Sequence, residues 1–265
     1  MSAAPTGGWR SLALPGAAAL VAFAILLALG FWQLQRLAWK EALTAQVTAR
    51  LAAPPIPAPP PGDWPQLDLA GLEYQPVTVT GTFADRQEVY VAFTQTRPKG
   101  PYGGIGYLVM TPLLTPDGWT VYVNRGFVLE DRRYPNQRPE GNSDGPVTVT
   151  GLMRQPVARP WYVPSDGISD NVWFSRDPVL FSEAYGAPSG IIAPYIIDAL
   201  YDPDVPGGLP QGGTTLVEFP NSHLGYAITW FGLALALVGV FVTYARARLR
   251  PPAQNGMSDG NDGIN

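Results

Sequence analysis

Cysteine is absent from this chain of 265 residues, and histidine occurs once, as His223. Without cysteine the chain cannot form disulfides, thiolate zinc sites or thiol-based copper sites. A Ser–His–Asp or Cys–His catalytic arrangement would have to use His223. A hydrolase with paired carboxylates stays open through Glu73, Asp85, Glu130 and Asp131, but their spacing does not favour it. We therefore expect a protein without catalytic residues, not an enzyme.

Concentrations of positive charge are also lacking. The net charge is −4, and the 17 Lys and Arg residues are scattered along the chain. A nucleic-acid-binding protein usually gathers its positive charge on one face or in one segment. We therefore predict no nucleic-acid partner.

Two uncharged apolar stretches, residues 12–32 and 224–244, are each long enough to span a bilayer. At about 1.5 Å per residue, each extends roughly 30 Å, the thickness of the hydrocarbon layer. The first is longer than the apolar core of a signal peptide and continues into a helical pattern, so we expect it to be retained. We predict transmembrane helices at 12–35 and 220–244, the second including the motif with which it enters the membrane.

The positive residues around the second stretch predict its orientation. Three Arg residues follow it in segment 245–250, whereas residues 204–223 before it contain no Lys or Arg. Because positive residues are retained in the cytoplasm, the C-terminal end is predicted to be cytoplasmic. The first stretch has a weaker, opposite bias, but long domains cross membranes largely regardless of charge. Both termini, residues 1–11 and a disordered tail at 245–265, are thus predicted to be cytoplasmic.

The central part of the chain is then predicted to lie outside the cytoplasm. The N-terminus has a single Arg before the first stretch and does not resemble a mitochondrial presequence. We therefore expect a bacterial inner (cytoplasmic) membrane with a periplasmic domain.

Between the two stretches, the pattern changes from helical to extended. A helical extension at 36–51 ends at a proline-rich linker, 52–65, which we expect to lie outside helix and sheet. The extracytoplasmic domain at 66–219 contains one helix at 178–185, because Asp177 can cap it and Pro178 suits its first turn. Alternating β-branched and aromatic residues predict strands in this domain at 76–83, 88–94, 104–113, 119–129, 146–151, 189–200 and 214–219.

Two features of these strands indicate how they pair. The short segment "ADRQ" predicts a hairpin between 76–83 and 88–94. "PVTVTG" occurs at 76–81 and again at 146–151, which we interpret as two equivalent strand starts in one sheet. The fold class is therefore an α+β membrane protein. Two transmembrane helices flank an antiparallel barrel-like or sandwich β domain with one or two short helices.

The second apolar stretch has two different helical faces. His223, Tyr226, Ala227, Trp230 and Ala234 follow the three-and-four spacing of one face. The opposite face carries small residues, namely Gly225, Thr229, Gly232, Ala236 and Gly239. Because small residues let helices approach closely, we expect this stripe to pack on another helix. The face with His223 is then left to contact something larger.

His223 is a candidate metal ligand. The positive partial charge at a helix start disfavours imidazolium, and a neutral ring can donate a lone pair to a metal. One imidazole cannot complete a zinc or copper site, but it suffices as an axial ligand to haem iron. A satisfied interfacial histidine without a ligand remains the alternative.

The end of the first stretch offers further groups at the same depth. Trp32, Gln35, Arg36 and Trp39 share a helical face, and Arg36 with Lys40 could pair with haem propionates. An interfacial belt of aromatic residues with a snorkelling Arg remains the alternative explanation. The predicted cofactor-binding set is His223, Tyr226, Trp230, Trp32, Arg36 and Trp39, with His223 as the metal ligand.

Five motifs occur in an order that resembles the Surfeit locus protein 1 family, the assembly factors of cytochrome c oxidase. The resemblance extends from the first apolar stretch to the second and departs from the family pattern at Gln75, Phe127 and Leu129. The motifs are "GFWQLQRLAWKEAL", "EYQPVTVTGTF", "GYLVMTPL", "VNRGFV" and "NSHLGYAITWF".

This resemblance implies a function at the inner membrane. The protein is expected to assist haem a insertion into the oxidase catalytic subunit, or to stabilise that subunit. Haem a is then a transient cofactor, and the resemblance points to His223 as its ligand. The expected partners are the oxidase catalytic subunit, membrane lipid and, as a further candidate, haem a synthase.

Two questions stay open at this point. The chain could instead be a cofactor-free scaffold or accessory subunit that contacts the oxidase through the Gly225, Gly232 and Gly239 stripe. Asn124 and Arg125 end a strand in "VNRGF", and Arg125 is interpreted either as a buried strut or as a contact for an acidic group or a propionate.

Overall fold

The computed structural model describes residues 9–215 and 221–249, with side chains described from residue 11 onwards. Two long helices lie near its ends, α1 (Ala13–Leu51) and, after a short helix α2 (Pro178–Tyr185), α3 (His223–Leu249). The described residues form two compact units. The first contains the part of α1 up to Thr44 together with α3, and the second contains residues 45 to 215.

Both long helices are apolar and long enough to cross a membrane. Only 6% of the most apolar window of α1 and 11% of that of α3 are buried, unlike the core helix of a soluble protein. The pair therefore fits a two-pass membrane protein. Helix α1 continues without a break through the predicted extension to Leu51, and α3 continues to Leu249, beyond the predicted end of its span at residue 244.

The second unit contains an eight-stranded sheet, and five of its strands close into a ring. The ring order is β2, β6, β8, β5 and β4, and the end of β4 returns to the end of β2 where Leu114 pairs with Thr82. The strands are β1 (Ile56–Pro57), β2 (Pro76–Phe83), β3 (Val89–Gln95), β4 (Gly104–Leu114), β5 (Thr120–Leu129), β6 (Pro146–Arg154), β7 (Val172–Trp173) and β8 (Ile192–Ala199). This arrangement confirms the barrel-like β domain predicted between two helices.

Five strand pairings are antiparallel and three are parallel. The parallel pairs are β1 with β2, β3 with β7 and β5 with β8. The β5–β8 pair is parallel because the long connection between these strands contains β6, β7 and α2 and returns the chain to the same end of the barrel.

The predicted hairpin between residues 76–83 and 88–94 is wrong. Strand β3 pairs with β4 instead, and β2 pairs with β6 over seven residues. The connection at Asp85–Gln87 is a 3₁₀ turn rather than a tight hairpin turn, so it does not bring β2 and β3 into register. The two "PVTVTG" copies pair with each other, and the hydroxyls of Thr80 and Thr148 lie 2.8 Å apart. The interpretation of the repeat as two strand starts in one sheet is confirmed.

The core lies inside the barrel, with a second cluster beneath α2. Val77, Val121 and Ile197 point inward from β2, β5 and β8 and are fully buried. In the second cluster the rings of Phe181 and Trp173 meet edge to face, with centroids 5.0 Å apart. The predicted α2 is confirmed with its cap, because Asp177 Oδ1 accepts a hydrogen bond from the Val179 amide at 2.9 Å.

The proline-rich segment packs on the barrel. Its residues Ile56–Pro57 pair in parallel with Val77 and Thr78, so the expectation that 52–65 lies outside any sheet is wrong at these two residues. The hydroxyl of Tyr195 also donates to the carbonyl oxygen of Pro59 at 2.7 Å. Of the strand predicted at 214–219, the first two residues are not in a strand and residues 216–219 lie outside the described part of the chain.

Candidate functional site

His223 is the first residue of α3, and its ring is held by α1. Ring atom Nδ1 lies 2.7 Å from Oε1 of Gln33. A carbonyl oxygen can only accept a hydrogen bond, so in a neutral ring this contact places the proton on Nδ1 and the lone pair on Nε2. Within the described residues Nε2 has no hydrogen-bond partner. The ring is half-buried.

Gln33 was missed by sequence reasoning, although it carries the contact that holds His223. It is only 9% exposed. The available signal was a neutral polar residue inside an apolar run, at helical spacing from Gly30 and Leu37. The expectation that His223 lies at the depth of the end of the first stretch is confirmed by this contact.

Helix α1 packs on the face of α3 that contains His223. Ala227 and Ala234 on this face are 1% and 2% exposed. A Cβ atom added to Gly30 would lie 2.6 Å from the ring of Phe231, so the helices cross closely at this glycine. The expectation that the His223 face is left free for something larger is wrong at Ala227 and Ala234, where α1 packs on this face. The helices can approach because Gly30 supplies the small residue on α1.

The small-residue stripe on α3 is open. A Cβ atom added to Gly225, Gly232 or Gly239 would meet no atom within 4 Å in the described part of the chain. The predicted close approach to another helix is therefore not made by α1. This face remains available to a helix of another protein.

Three residues predicted on α1 lie on its exposed surface. The guanidinium of Arg36 lies 4.0 Å from the centroid of the Trp39 ring, a cation–π contact. The side chains of Trp32 and Trp39 are 54% and 52% exposed. The structure thus brings Arg36 and Trp39 together, but within the described residues it records no contact between them and His223.

The two aromatic residues predicted on α3 differ from each other. Tyr226 is 55% exposed, whereas Trp230 is half-buried, and its indole N–H has no hydrogen-bond partner among the described residues. The exposed ring can border a ligand beside the helices. The half-buried one mainly packs near the helix crossing.

Helical geometry assigns the exposed groups to one side of the pair. At about 100° per residue, Arg36 is displaced by about −60° and Trp32 by about −100° from Gln33, and Tyr226 by about −60° from His223. When two helices pack antiparallel, residues that are rotated from the contact face by angles of the same sign lie on the same side of the helix pair. Aromatic and cationic side chains therefore accompany His223 on that side of the helices.

The helix pair also forms a cleft of about 190 Å³, but at the other end. It is lined by residues that include Gly16, Phe23, Leu237 and Phe241. Leu237 is fourteen positions along α3 from His223, or about 21 Å at 1.5 Å per residue. This cleft therefore does not belong to the histidine site.

Arg125 in the β domain is a buried strut. It is the extra residue of a bulge in β5, because Val109 pairs with Gly126 and Met110 pairs with Asn124. Its side chain is 8% exposed, Nη1 lies 2.7 Å from Asp85 Oδ1, and Nη2 donates to the carbonyl of Gly141. These contacts favour the strut interpretation over a contact with an external acidic group.

Asn124 completes a second buried network beside this bulge. Its amide nitrogen donates to Asp198 Oδ1 at 2.9 Å and to Thr214 Oγ1 at 3.1 Å. Its amide oxygen accepts from the Gly126 backbone N–H at 3.1 Å. Asn124 therefore stabilises the bulge, and its side-chain contacts give no indication of a ligand.

Two of the four candidate acids for hydrolysis serve structural ion pairs. Glu73 accepts from Arg154 Nε at 2.7 Å, and Asp85 is paired with Arg125. Sequence reasoning missed the buried carboxylate of Glu88, which is paired with Arg138 and lies 3.4 Å from Arg125. Burial raises the pKa of Glu88 above its ordinary value, against the attraction of the two guanidinium groups.

Comparison with known proteins places these features in a family. Residues 20–235 match the model of the SURF1 family. The chain is 37% identical to human Surfeit locus protein 1 over 219 residues, which cover 78% of this chain and 70% of that protein. It is 34% identical to the SURF1-like protein of Drosophila melanogaster over 241 residues, covering 86% and 74% of the two chains.

A SURF1-like protein of Monosiga brevicollis is also 34% identical over 227 residues, covering 82% of each chain. The matched region extends from α1 through the barrel into α3, and so contains both Gln33 and His223. This chain belongs to the SURF1 family.

Proposed function

We propose that this chain is an assembly factor for cytochrome c oxidase that holds haem a transiently beside its paired membrane helices. The proposal places it in a bacterial inner membrane, with both termini cytoplasmic and the barrel in the periplasm. The observation that supports the proposal is the state of His223, whose Nδ1 is hydrogen-bonded to Gln33 and whose Nε2 has no hydrogen-bond partner among the described residues.

The residues present fit a haem held through one protein nitrogen. Haem a would supply an iron that accepts a nitrogen lone pair, and His223 would donate that of its Nε2. Arg36 offers a cation for a propionate, and the rings of Trp32, Trp39 and Tyr226 offer an apolar border. A single protein ligand suits a carrier, because the cofactor must be released to the oxidase catalytic subunit.

The proposal is tested by absorption spectroscopy of the protein purified from cells that make haem a. We expect the wild type to contain haem a with the absorption spectrum of a histidine-ligated haem. We expect purified His223→Ala to contain at least tenfold less bound haem. Gln35→Ala is the matched control, because Gln35 is exposed on α1 near the same depth. Unchanged haem content and spectrum in His223→Ala would refute the ligation.

A second candidate function is a cofactor-free scaffold for the oxidase catalytic subunit. The open stripe at Gly225, Gly232 and Gly239 favours it, because a partner helix could approach closely there. On this alternative, Gly232→Leu abolishes co-purification of the catalytic subunit, whereas His223→Ala leaves oxidase assembly intact. The opposite pattern supports the haem carrier.

A further inference from the structure

The contact between Gln33 and His223 assigns a role to a residue that touches no cofactor. The Gln33 side chain is buried on α1, and in its only described hydrogen bond Oε1 accepts from His223 Nδ1 at 2.7 Å. We infer that Gln33 is a positioning residue: it holds the neutral His223 ring in the tautomer with the proton on Nδ1, so that Nε2 is the ligand atom. This inference rests on the proposed haem function.

The tautomer matters because only an unprotonated ring nitrogen can bind a metal. A neutral imidazole carries one proton, and the hydrogen bond of one nitrogen decides which nitrogen stays free. Nδ1 faces α1, where the protein occupies the space, and Nε2 has no partner among the described residues. Losing the Gln33 acceptor would leave the proton free to move to Nε2, the atom needed for the iron.

The ratio of the two His223 tautomers depends on the strength of one hydrogen bond. A neutral hydrogen bond of this kind shifts an equilibrium by up to about tenfold. We therefore expect the wild-type ring to be mainly protonated on Nδ1. Without the acceptor, the ratio of the two tautomers should change by a factor of about three to ten.

An amide acceptor also suits a histidine ligand that must release its metal. Where a histidine ligand donates to a carboxylate, the negative charge raises its basicity and strengthens the metal bond. Gln33 provides the direction of such a contact without the charge. A charge at this buried position would also be costly in the membrane.

The first arm of the test needs no haem, because His223 is the only histidine in the chain. The protein is labelled with ¹⁵N-histidine, placed in lipid nanodiscs, and measured by NMR at a pH where the ring is neutral. The two ring nitrogens of each tautomer have well-separated ¹⁵N shifts. We expect Nδ1–H in the wild type, a shift toward Nε2–H in Gln33→Met, and no change in the matched control Gln35→Met.

The second arm measures binding of haem a to the same three proteins in nanodiscs. Because the wild-type ring is already mainly in the binding tautomer, a three- to tenfold change in tautomer ratio should weaken the binding of haem a by Gln33→Met about two- to fivefold, whereas Gln35→Met should bind as the wild type does. Far-UV circular dichroism of all three checks that the helices are retained. A histidine that binds through Nε2 also gives its Nδ1–H a distinct ¹⁵N signal in the complex.

The two arms separate failure of the inference from failure of the proposed function. Nε2–H in the wild type, or the same tautomer ratio in Gln33→Met, overturns the role of Gln33 whatever the protein binds. Equal haem affinity of the wild type and Gln33→Met overturns it as well. If the wild type shows Nδ1–H but binds no haem a, the proposed function fails, and with it the iron-directed part of the inference.

Discussion

The packing of α1 on α3 predicts different effects for glycine substitutions in the two helices. In Gly30→Ala, the new Cβ would lie 2.6 and 2.7 Å from atoms of the Phe231 ring and force it to move. In Gly232→Ala, the new Cβ would meet no atom within 4 Å of the described residues. Both glycines are inside helices, so both variants gain the same helix propensity, about 1 kcal/mol.

The difference between the two variants isolates the helix contact. Overpacking a tight contact costs about 1–3 kcal/mol, and here the Phe231 ring must move to make room for the new Cβ. Net, Gly30→Ala should be neutral or destabilised by up to about 2 kcal/mol, whereas Gly232→Ala should be neutral or stabilised by up to about 1 kcal/mol. Gly30→Ala should therefore unfold more easily than Gly232→Ala by about 1–3 kcal/mol.

The assay is a reversible unfolding titration of the full chain in mixed micelles, followed by helix circular dichroism. A third variant, Phe231→Ala, completes a double-mutant cycle with Gly30→Ala. In the Phe231→Ala background the overlap is gone, and adding Gly30→Ala should no longer reduce stability. If Gly232→Ala proves as destabilising as Gly30→Ala, or if Phe231→Ala does not rescue Gly30→Ala, the helices do not cross at Gly30.

Two further predictions concern the barrel. Gly126→Ala should destabilise the domain by more than about 3 kcal/mol, because Gly126 has φ +133° and an added Cβ would overlap the Gln211 carbonyl. Thermal unfolding measures this loss, and a melting temperature within 2–3 °C of the wild type would contradict the prediction. Because burial raises the folded-state pKa of Glu88 above 4.5, its contribution to stability is fully present below pH 4.5 and lost as the pH rises through the folded-state pKa. The free energy of unfolding of the wild type relative to Glu88→Gln should therefore increase on acidification from pH 7 towards pH 5, and a difference that is flat or falls on acidification would show that the two arginines outweigh burial.

Sequence patterns predicted the elements better than their pairing. The helix at 178–185 matched the structure because its cap and first-turn proline are local signals. Six of the seven predicted strands also matched in position, because alternation of side chains is local. The hairpin between 76–83 and 88–94 failed because partner choice depends on the whole barrel, in which β4 is long enough to pair with β3 along one part and with β2 at its end.

The candidate site shows the same division. His223 could be singled out because it is the only histidine and opens an apolar helix. Gln33 could not, because a glutamine in an apolar run has no special meaning until the crossing of two helices brings it to the ring. Glu88 was missed for a similar reason, since its two arginine partners are 37 and 50 residues away along the chain.

By itself the sequence determined two apolar helices, a β domain between them and one imidazole at a helix start, since hydrophobic period and residue chemistry are local properties. Only the tertiary structure decided that α1 covers the His223 face, that the glycine stripe stays open, and which ring nitrogen is free. These outcomes depend on how two helices pack at Gly30, a contact between residues almost 200 positions apart that no local pattern encodes.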